Sequence, residues 1–199
     1  MSNKIYFLSK TILFYNVNVY KSTNFFSFSY NLDKVNRDEQ IMNEENQEMI
    51  TIEKAVVEDA QEITRIKTRA FNKEINTYLG RNGGPPGYDC VESEIAIIEK
   101  HVAYKILLNQ QIIGAFFLII LDDHKVRFED FVIDPLYQGK GYGFKTLQMI
   151  EEEYAHVTEW YLSTPIFSIG NQHLYEKFGY REISRDDHEI EYLKCQKKN

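Results

Sequence analysis

The sequence has little of what several protein classes require. It has only two cysteines among 199 residues, Cys90 and Cys195, and they are not spaced as a metal-ligand pair. We therefore expect two free thiols, no metal site and a cytoplasmic location. No apolar run is long enough to span a membrane. Positive charge is also scarce, since the net charge is −7, and this disfavours nucleic acid as a partner because that binding depends on Lys and Arg.

The first 48 residues contain no Gly, Ala or Pro, and 26 of them are Phe, Tyr, Asn, Lys, Ile or Met. Their apolar stretch, Ile5–Tyr20, is interrupted by polar residues and is followed by no small-residue cleavage site, so secretion is not indicated. We expect residues 1–48 to be a disordered or loosely packed extension. One alternative is that the apolar part, Ile5–Tyr30, packs on the domain as a strand or helix. Another is that translation starts at Met42 or Met49, and the segment is not part of the working protein. Residues 49–199 have the size of one compact domain.

The hydrophobic periodicity of residues 49–199 predicts a mixed domain of strands and helices. Three strand patterns with short connections, between residues 102 and 133, predict an antiparallel meander. Predicted strands lie at 50–57, 102–108, 111–121, 126–133, 160–163, 180–184 and 189–193, and predicted helices at 58–73, 91–100, 141–157 and 171–178.

A glycine-rich loop, Ile133–Gly143 (IDPLYQGKGYG), lies between a predicted strand and a predicted helix. Glycine allows the backbone to approach a ligand closely, and free amides at a helix start bind anions. Lys140 adds a positive charge within the loop. The pattern therefore predicts a phosphate or pyrophosphate site.

Two common nucleotide-binding patterns do not fit this loop. The P-loop pattern and the dinucleotide pattern read from Gly139 both require glycine where this chain has Phe144, and the dinucleotide pattern read from Gly141 requires glycine at Thr146. The preceding strand belongs to the predicted meander and does not open a βαβ unit. Both folds are therefore disfavoured.

The loop instead matches the pattern Gln/Arg-x-x-Gly-x-Gly/Ala, running from Gln138 to Gly143. With these residues the chain resembles the GNAT superfamily, the acyl-CoA-dependent N-acyltransferases. A second match, Asn171–Tyr180, is similar to the family's Asn-x-x-x-Tyr-x-x-x-Gly-Phe/Tyr signature. The resemblance covers roughly Thr51–Leu193. It implies an α+β fold, a mostly antiparallel twisted sheet that splays at the acyl-CoA site and is flanked by helices.

The resemblance also implies acetyl-CoA as the acyl donor and a primary amine as the acceptor, joined by direct attack in a ternary complex. The pantetheine arm would bond the exposed backbone of the strand before the loop, and the amide of Ile133 would face the thioester carbonyl. The loop amides would bind the pyrophosphate. The implied cofactor-binding residues are Phe131, Val132, Ile133, Gln138, Gly139, Lys140, Gly141, Tyr142, Gly143 and Asn171.

By the same resemblance, Tyr175 occupies the place of the family's usual general acid. Glu129 is a candidate base, because it lies four residues before Ile133 and is expected on the same strand face, with Asp130 on the other. A reaction without a fixed base is the alternative. The acceptor pocket would include the segment Tyr78–Tyr88, where acidic neighbours would suit a cationic amine.

Two readings of function follow from the resemblance. The first is an active N-acetyltransferase, which the presence of both Asn171 and Tyr175 favours. The second is a non-catalytic module of the same fold that binds acyl-CoA as a sensor or a partner subunit. A homodimer formed through the last strands is implied by the resemblance alone.

Overall fold

The computed structural model describes residues 48–196 of the chain. The predicted extension, apart from Glu48, lies outside the described residues. The strands are β1 (Ile50–Lys54), β2 (Val102–Leu108), β3 (Gln111–Asp122), β4 (Lys125–Ile133), β5 (Glu159–Pro165), β6 (Arg181–Arg185) and β7 (Glu189–Cys195). The helices are α1 (Ala60–Leu79), α2 (Val91–Lys100), α3 (Tyr142–Glu153) and α4 (Ile169–Phe178).

The seven strands form one sheet in the order β1-β2-β3-β4-β5-β7-β6. All neighbouring pairs are antiparallel except β4 and β5. Helix α1 packs on one face, where Ile63, Ile66 and Ala70 meet Ala115 and Val132. The larger apolar cluster includes residues of α3 and α4 and covers the other face. The predicted fold class, a mostly antiparallel α+β fold flanked by helices, is confirmed.

The sheet opens between β4 and β5. The two strands pair only from Lys125 to Arg127, against Glu159 to Tyr161. Beyond Arg127 the β4 edge has no partner strand within the described residues, although β4 continues to Ile133. This is the predicted splay, and it leaves backbone groups of β4 free to bond a ligand.

A β-bulge interrupts β4 just before its end. The register shifts by one residue between the pair Phe117–Glu129 and the pair Ala115–Val132. Asp130 lies in this interval with a φ of 50°, a left-handed conformation that Asp adopts more readily than most residues. The bulge therefore reverses the alternation of side chains between Glu129 and Ile133.

Helix α1 is longer than predicted. The prediction ended it at Lys73, where the sequence becomes polar, but the helix continues to Leu79 and ends at Gly80, which has a φ of 67°. Ile75 extends the half-buried side of the helix past that point. No helix in the described part of the chain has the length and apolarity needed to cross a bilayer.

Candidate active site

The loop between β4 and α3 presents a row of free backbone amides. Gly139 and Gly141 both have positive φ, 77° and 84°, and Gly141 is the N-cap of α3. The first helical bond runs from the amide of Lys145 to the carbonyl of Gly141. Within the described residues, none of the seven amides from 138 to 144 donates a hydrogen bond. Consecutive free donors at a helix N-terminus form an anion site.

Two basic residues of α1, together with the loop's own side chains, hold this loop in place. Arg69 donates from Nε to Asp134 Oδ2 at 3.1 Å, and the Asp134 side chain is almost completely buried. Lys73 donates to Gln138 Oε1 at 2.9 Å, and Gln138 donates to the carbonyl of Ile133 at 2.9 Å. Sequence reasoning missed Arg69 and Lys73. Their partners lie 65 residues further along the chain, a distance at which no local pattern reveals the contact.

The backbone of Ile133 faces the open edge of β4. The amide of Asp134 donates to the carbonyl of Ile113 on β3 at 2.7 Å, so Asp134 faces β3. Backbone groups alternate along a strand, so Ile133 points away from β3 and toward the gap, as predicted for the residue facing the thioester. Val132 faces β3 and packs its side chain against α1. The backbone of Val132 is therefore not on the open edge, and a contact between Val132 and the cofactor stays a prediction.

Three further predicted cofactor-binding side chains have other contacts. Tyr142 is buried, and its hydroxyl donates to Glu48, so only its amide belongs to the row of free amides at 138–144. The Lys140 ammonium lies 5.4 Å from the centre of the Tyr137 ring. Phe131 packs beside Gly143 at the start of α3. These contacts shape the loop around its amides.

Tyr175 lies on α4 with its side chain in the core. It is only 4% exposed, and its hydroxyl makes no hydrogen bond within the described residues. Burial raises the pKa of Tyr175, and the negative charges of Glu74 and Glu129 raise it further. The hydroxyl is therefore protonated at neutral pH, which is the form that a general acid needs.

Glu129 lies on the α1 face of the sheet, with Arg127 and Glu191. Arg127 donates to both carboxylates, and its bonds to Glu191 are 3.0 and 2.8 Å long. Burial raises the pKa of Glu129, although Arg127 acts in the opposite direction. A carboxyl group with a raised pKa beside an open strand edge is suited to accept a proton near neutral pH.

The predicted face of Glu129 is wrong. Because of the bulge, Glu129 is on the face opposite Ile133, directly across from Phe117. Asp130 does not point away from that face either, since its carboxylate accepts a hydrogen bond from Lys67 on α1. Both carboxylates therefore lie on the α1 side of β4. The negative charge of Glu129 raises the pKa of Tyr175, and Glu129 lies in the part of β4 that no longer pairs with β5.

Asn171 lies one helical turn before Tyr175 on α4. Its Nδ2 donates to Glu74 Oε1 at 3.2 Å, and the same oxygen accepts from Ser168 Oγ at 2.7 Å. The sequence did not single out Glu74, because the predicted helix stopped one residue before it. The spacing of Phe71, Ile75 and Tyr78 was the available signal that the helix continues.

The predicted acceptor segment, Tyr78–Tyr88, is anchored to α1. The Oδ1 of Asn72 accepts from the amide of Gly83 at 3.0 Å and from the Tyr88 hydroxyl at 2.9 Å. The Tyr78 ring lies 5.5 Å from that of Phe167, just before α4. The first residue of the segment thus contacts the stretch before α4, and its later residues fold back against α1.

Among residues 48–196, no group of three or more His, Cys, Asp or Glu side chains is placed to hold a metal ion. Cys90 and Cys195 are free thiols. A cavity of about 780 Å³ lies between the end of α3 and β7, lined by residues that include His124 and Lys194, and it contains none of the predicted site residues.

Comparison with known proteins gives one family match. Residues 97–182 match the model of the acetyltransferase (GNAT) domain, a span that includes β4, the loop, α3 and α4. No curated protein is similar enough in sequence to count as a match.

Solved structures share the fold at low sequence identity. The PaiA N-acetyltransferase of Thermoplasma acidophilum, in complex with coenzyme A, is 17% identical with a TM-score of 0.64, over 74% of this chain and 99% of that one. The ribosomal-protein-S18-alanine N-acetyltransferase of Escherichia coli is 17% identical with a TM-score of 0.58, over 74% and 94%. The spermidine N-acetyltransferase of Vibrio cholerae, in complex with CoA and spermine, is 18% identical with a TM-score of 0.58, over 74% and 95%.

The family match and the fold agree with the arrangement of the loop, the splayed strands and the two motif helices. Residues 97–182 match the GNAT acetyltransferase domain, within a fold that solved N-acetyltransferases share.

Proposed function

We propose that the protein is an N-acetyltransferase that transfers an acetyl group from acetyl-CoA to a primary amine, by direct attack in a ternary complex. The main support is the loop of seven free amides beside the open edge of β4. The loop amides suit a pyrophosphate, and the open edge of β4 suits an arm that carries amide groups. A ligand that joins these two groups would fit both features.

The residues present fit acetyl-CoA, which supplies the acetyl thioester. The amides of 138–144 bind the pyrophosphate, and Lys140 adds positive charge. Phe131 and Ile133 lie at the open edge for the pantetheine, and Asn171 lies across the gap on α4. In this structure the Gln138 side chain donates a hydrogen bond to the carbonyl of Ile133. A pantetheine amide that takes this carbonyl therefore has to displace Gln138.

Protons move through two residues in this proposal. Glu129 accepts the proton that the amine loses as the new C–N bond forms, directly or through a water molecule. Tyr175 donates its hydroxyl proton to the sulfur as the C–S bond breaks. The amide of Ile133 donates to the thioester oxygen, where negative charge develops. The raised pKa values of Glu129 and Tyr175 suit these roles at neutral pH.

Binding of acetyl-CoA is tested by thermal unfolding. At a hundredfold excess over Kd, a ligand that binds only the folded state should raise the melting temperature by about 5–10 °C. ADP alone would engage only the loop and pantetheine only the β4 edge, so each should give a smaller shift. No shift with millimolar acetyl-CoA would refute the proposal.

Three finer expectations remain predictions. The domain boundary near residue 48, the cytoplasmic location and a homodimer through the last strands all await experiment. Intact mass of the protein expressed from its own gene decides whether translation starts at Met1 or later. Sedimentation analysis decides the oligomeric state.

A further inference from the structure

Glu74 is placed by two hydrogen bonds from the start of α4. Its Oε1 accepts from Ser168 Oγ at 2.7 Å and from Asn171 Nδ2 at 3.2 Å. Ser168 is completely buried. Both donors are neutral, so they fix the position of the carboxylate without neutralising its charge.

Glu74 has no counter-charge among residues 48–196. Within the described residues it has no ion pair with Lys, Arg or His, whereas Glu129 and Glu191 share Arg127. Its second oxygen, Oε2, accepts no hydrogen bond from these residues. A half-buried carboxylate held by neutral donors loses solvation without gaining a counter-charge, so an external cation would stabilise it.

The neighbourhood of Glu74 contains a hydroxyl that has no hydrogen-bond partner among the described residues. Tyr175 lies one helical turn beyond Asn171 on α4, so the two side chains share a face. Its side chain is buried, and its hydroxyl has no partner among the described residues. Burial raises the pKa of Tyr175, and the negative charge of Glu74 raises it further. Glu74 therefore lies close to the group proposed to protonate the leaving sulfur.

We propose that Glu74 binds a second cationic group of the acceptor, beside its reacting amine. The substrate class is then a diamine or polyamine rather than an amine with a single charge. This inference rests on the proposed function, since it concerns the acceptor of that reaction. It adds a specificity residue, at a place where the other nearby carboxylate, Glu129, is already paired with Arg127.

The substitution Glu74→Gln separates charge from position. Gln keeps a carbonyl oxygen that accepts from Ser168 and Asn171, but it has no negative charge. Glu74→Ala removes both the charge and the two hydrogen bonds. Glu99→Gln is the matched control, because Glu99 is an exposed carboxylate on α2 with no hydrogen-bond or ion-pair partner among the described residues.

Calorimetric titration of cationic probes tests the inference. Putrescine, cadaverine and spermidine are titrated into the protein with and without CoA, and pentylamine is the singly charged match for cadaverine. We expect at least one of the three to bind the wild type about tenfold more tightly than pentylamine, a difference of about 1.4 kcal/mol. Glu74→Gln should lose that preference, and Glu99→Gln should keep it.

Two results would overturn the inference. One is the absence of binding by all three probes at millimolar concentration, with or without CoA. The other is equal affinity of wild type and Glu74→Gln for the preferred probe. Acetyl-CoA binding is measured separately by melting temperature, so a failure of the proposed function is distinguished from a failure of this inference.

Discussion

Lys67 donates a hydrogen bond to Asp130 at 3.0 Å, and Asp130 is the residue whose left-handed backbone forms the bulge in β4. Lys67 is only 1% exposed and also pairs with the buried Glu94 at 2.6 Å. A left-handed residue costs about 1 kcal/mol, which this ion cluster helps to offset. Helix α1 thus stabilises the strand conformation that places Glu129 on the face of the sheet against which α1 packs.

Replacing Lys67 by Met should destabilise the protein strongly. Glu94 and Asp130 would lose their shared cation while remaining in or near the core, so we expect the free energy of unfolding to fall by about 3 kcal/mol. Urea denaturation measures this. Lys125→Met is the control, because its pair with Glu159 is partly exposed to solvent and should contribute much less to stability. Equal losses in the two variants would contradict the assigned role of Lys67.

Gly141→Ala should weaken acetyl-CoA binding and also lower the free energy of unfolding. At a φ of 84° an added Cβ strains the backbone by about 1 kcal/mol, although it meets no atom within 4 Å. Relief of that strain would turn the loop amides away from the ligand. Gly170→Ala is the matched control, because it also meets open space but has no positive φ, and it should stabilise α4 by about 0.5 kcal/mol. Unchanged acetyl-CoA affinity in Gly141→Ala would argue against binding of the pyrophosphate by the amides of 138–144.

Tyr175→Phe should slow turnover by about a hundredfold or more while leaving acetyl-CoA binding intact. Stability should change little, because the hydroxyl makes no hydrogen bond in the described chain. Tyr180→Phe is the comparison, since its hydroxyl also lacks a hydrogen-bond partner among the described residues but has no proposed role. Equal loss of turnover in both variants would remove Tyr175 as the acid.

The acidic limb of the kcat/KM profile should report Glu129. A base must be deprotonated, so activity falls as the pH drops through its raised pKa. Arg127 lowers the pKa of Glu129, and Arg127→Gln should therefore move the acidic limb to higher pH, by about one unit. Wild type and Arg127→Gln are measured with the same amine, so the titration of that amine affects both profiles equally. A limb that does not move in Arg127→Gln would show that another group titrates there.

The sequence predicted the order of elements and both motif positions, because hydrophobic periodicity and glycine placement are local signals. It could not predict the face of Glu129. Strict alternation of side chains would place Glu129 and Ile133 on one face, but one left-handed residue, Asp130, reverses that alternation. The sequence VRFEDFVI does not mark the bulge, because Asp tolerates a left-handed conformation without requiring it.

The residues of α1 were missed for a different reason. Lys67, Arg69, Lys73 and Glu74 are charged residues of an amphipathic helix, and each acts on a partner more than 25 residues away. Only the fold shows that α1 runs along β4, the glycine-rich loop and the start of α4. Contacts of this kind depend on tertiary packing, which helical periodicity does not encode.

The most direct test of the central claim is the release of free CoA thiol from acetyl-CoA across a panel of primary amines. We predict thiol release that depends on the amine, proceeds with one acetylated product per thiol by mass spectrometry, and falls by at least about a hundredfold in Tyr175→Phe. Binding of acetyl-CoA without amine-dependent release by any member of the panel would contradict an acetyltransferase and identify a binding module instead.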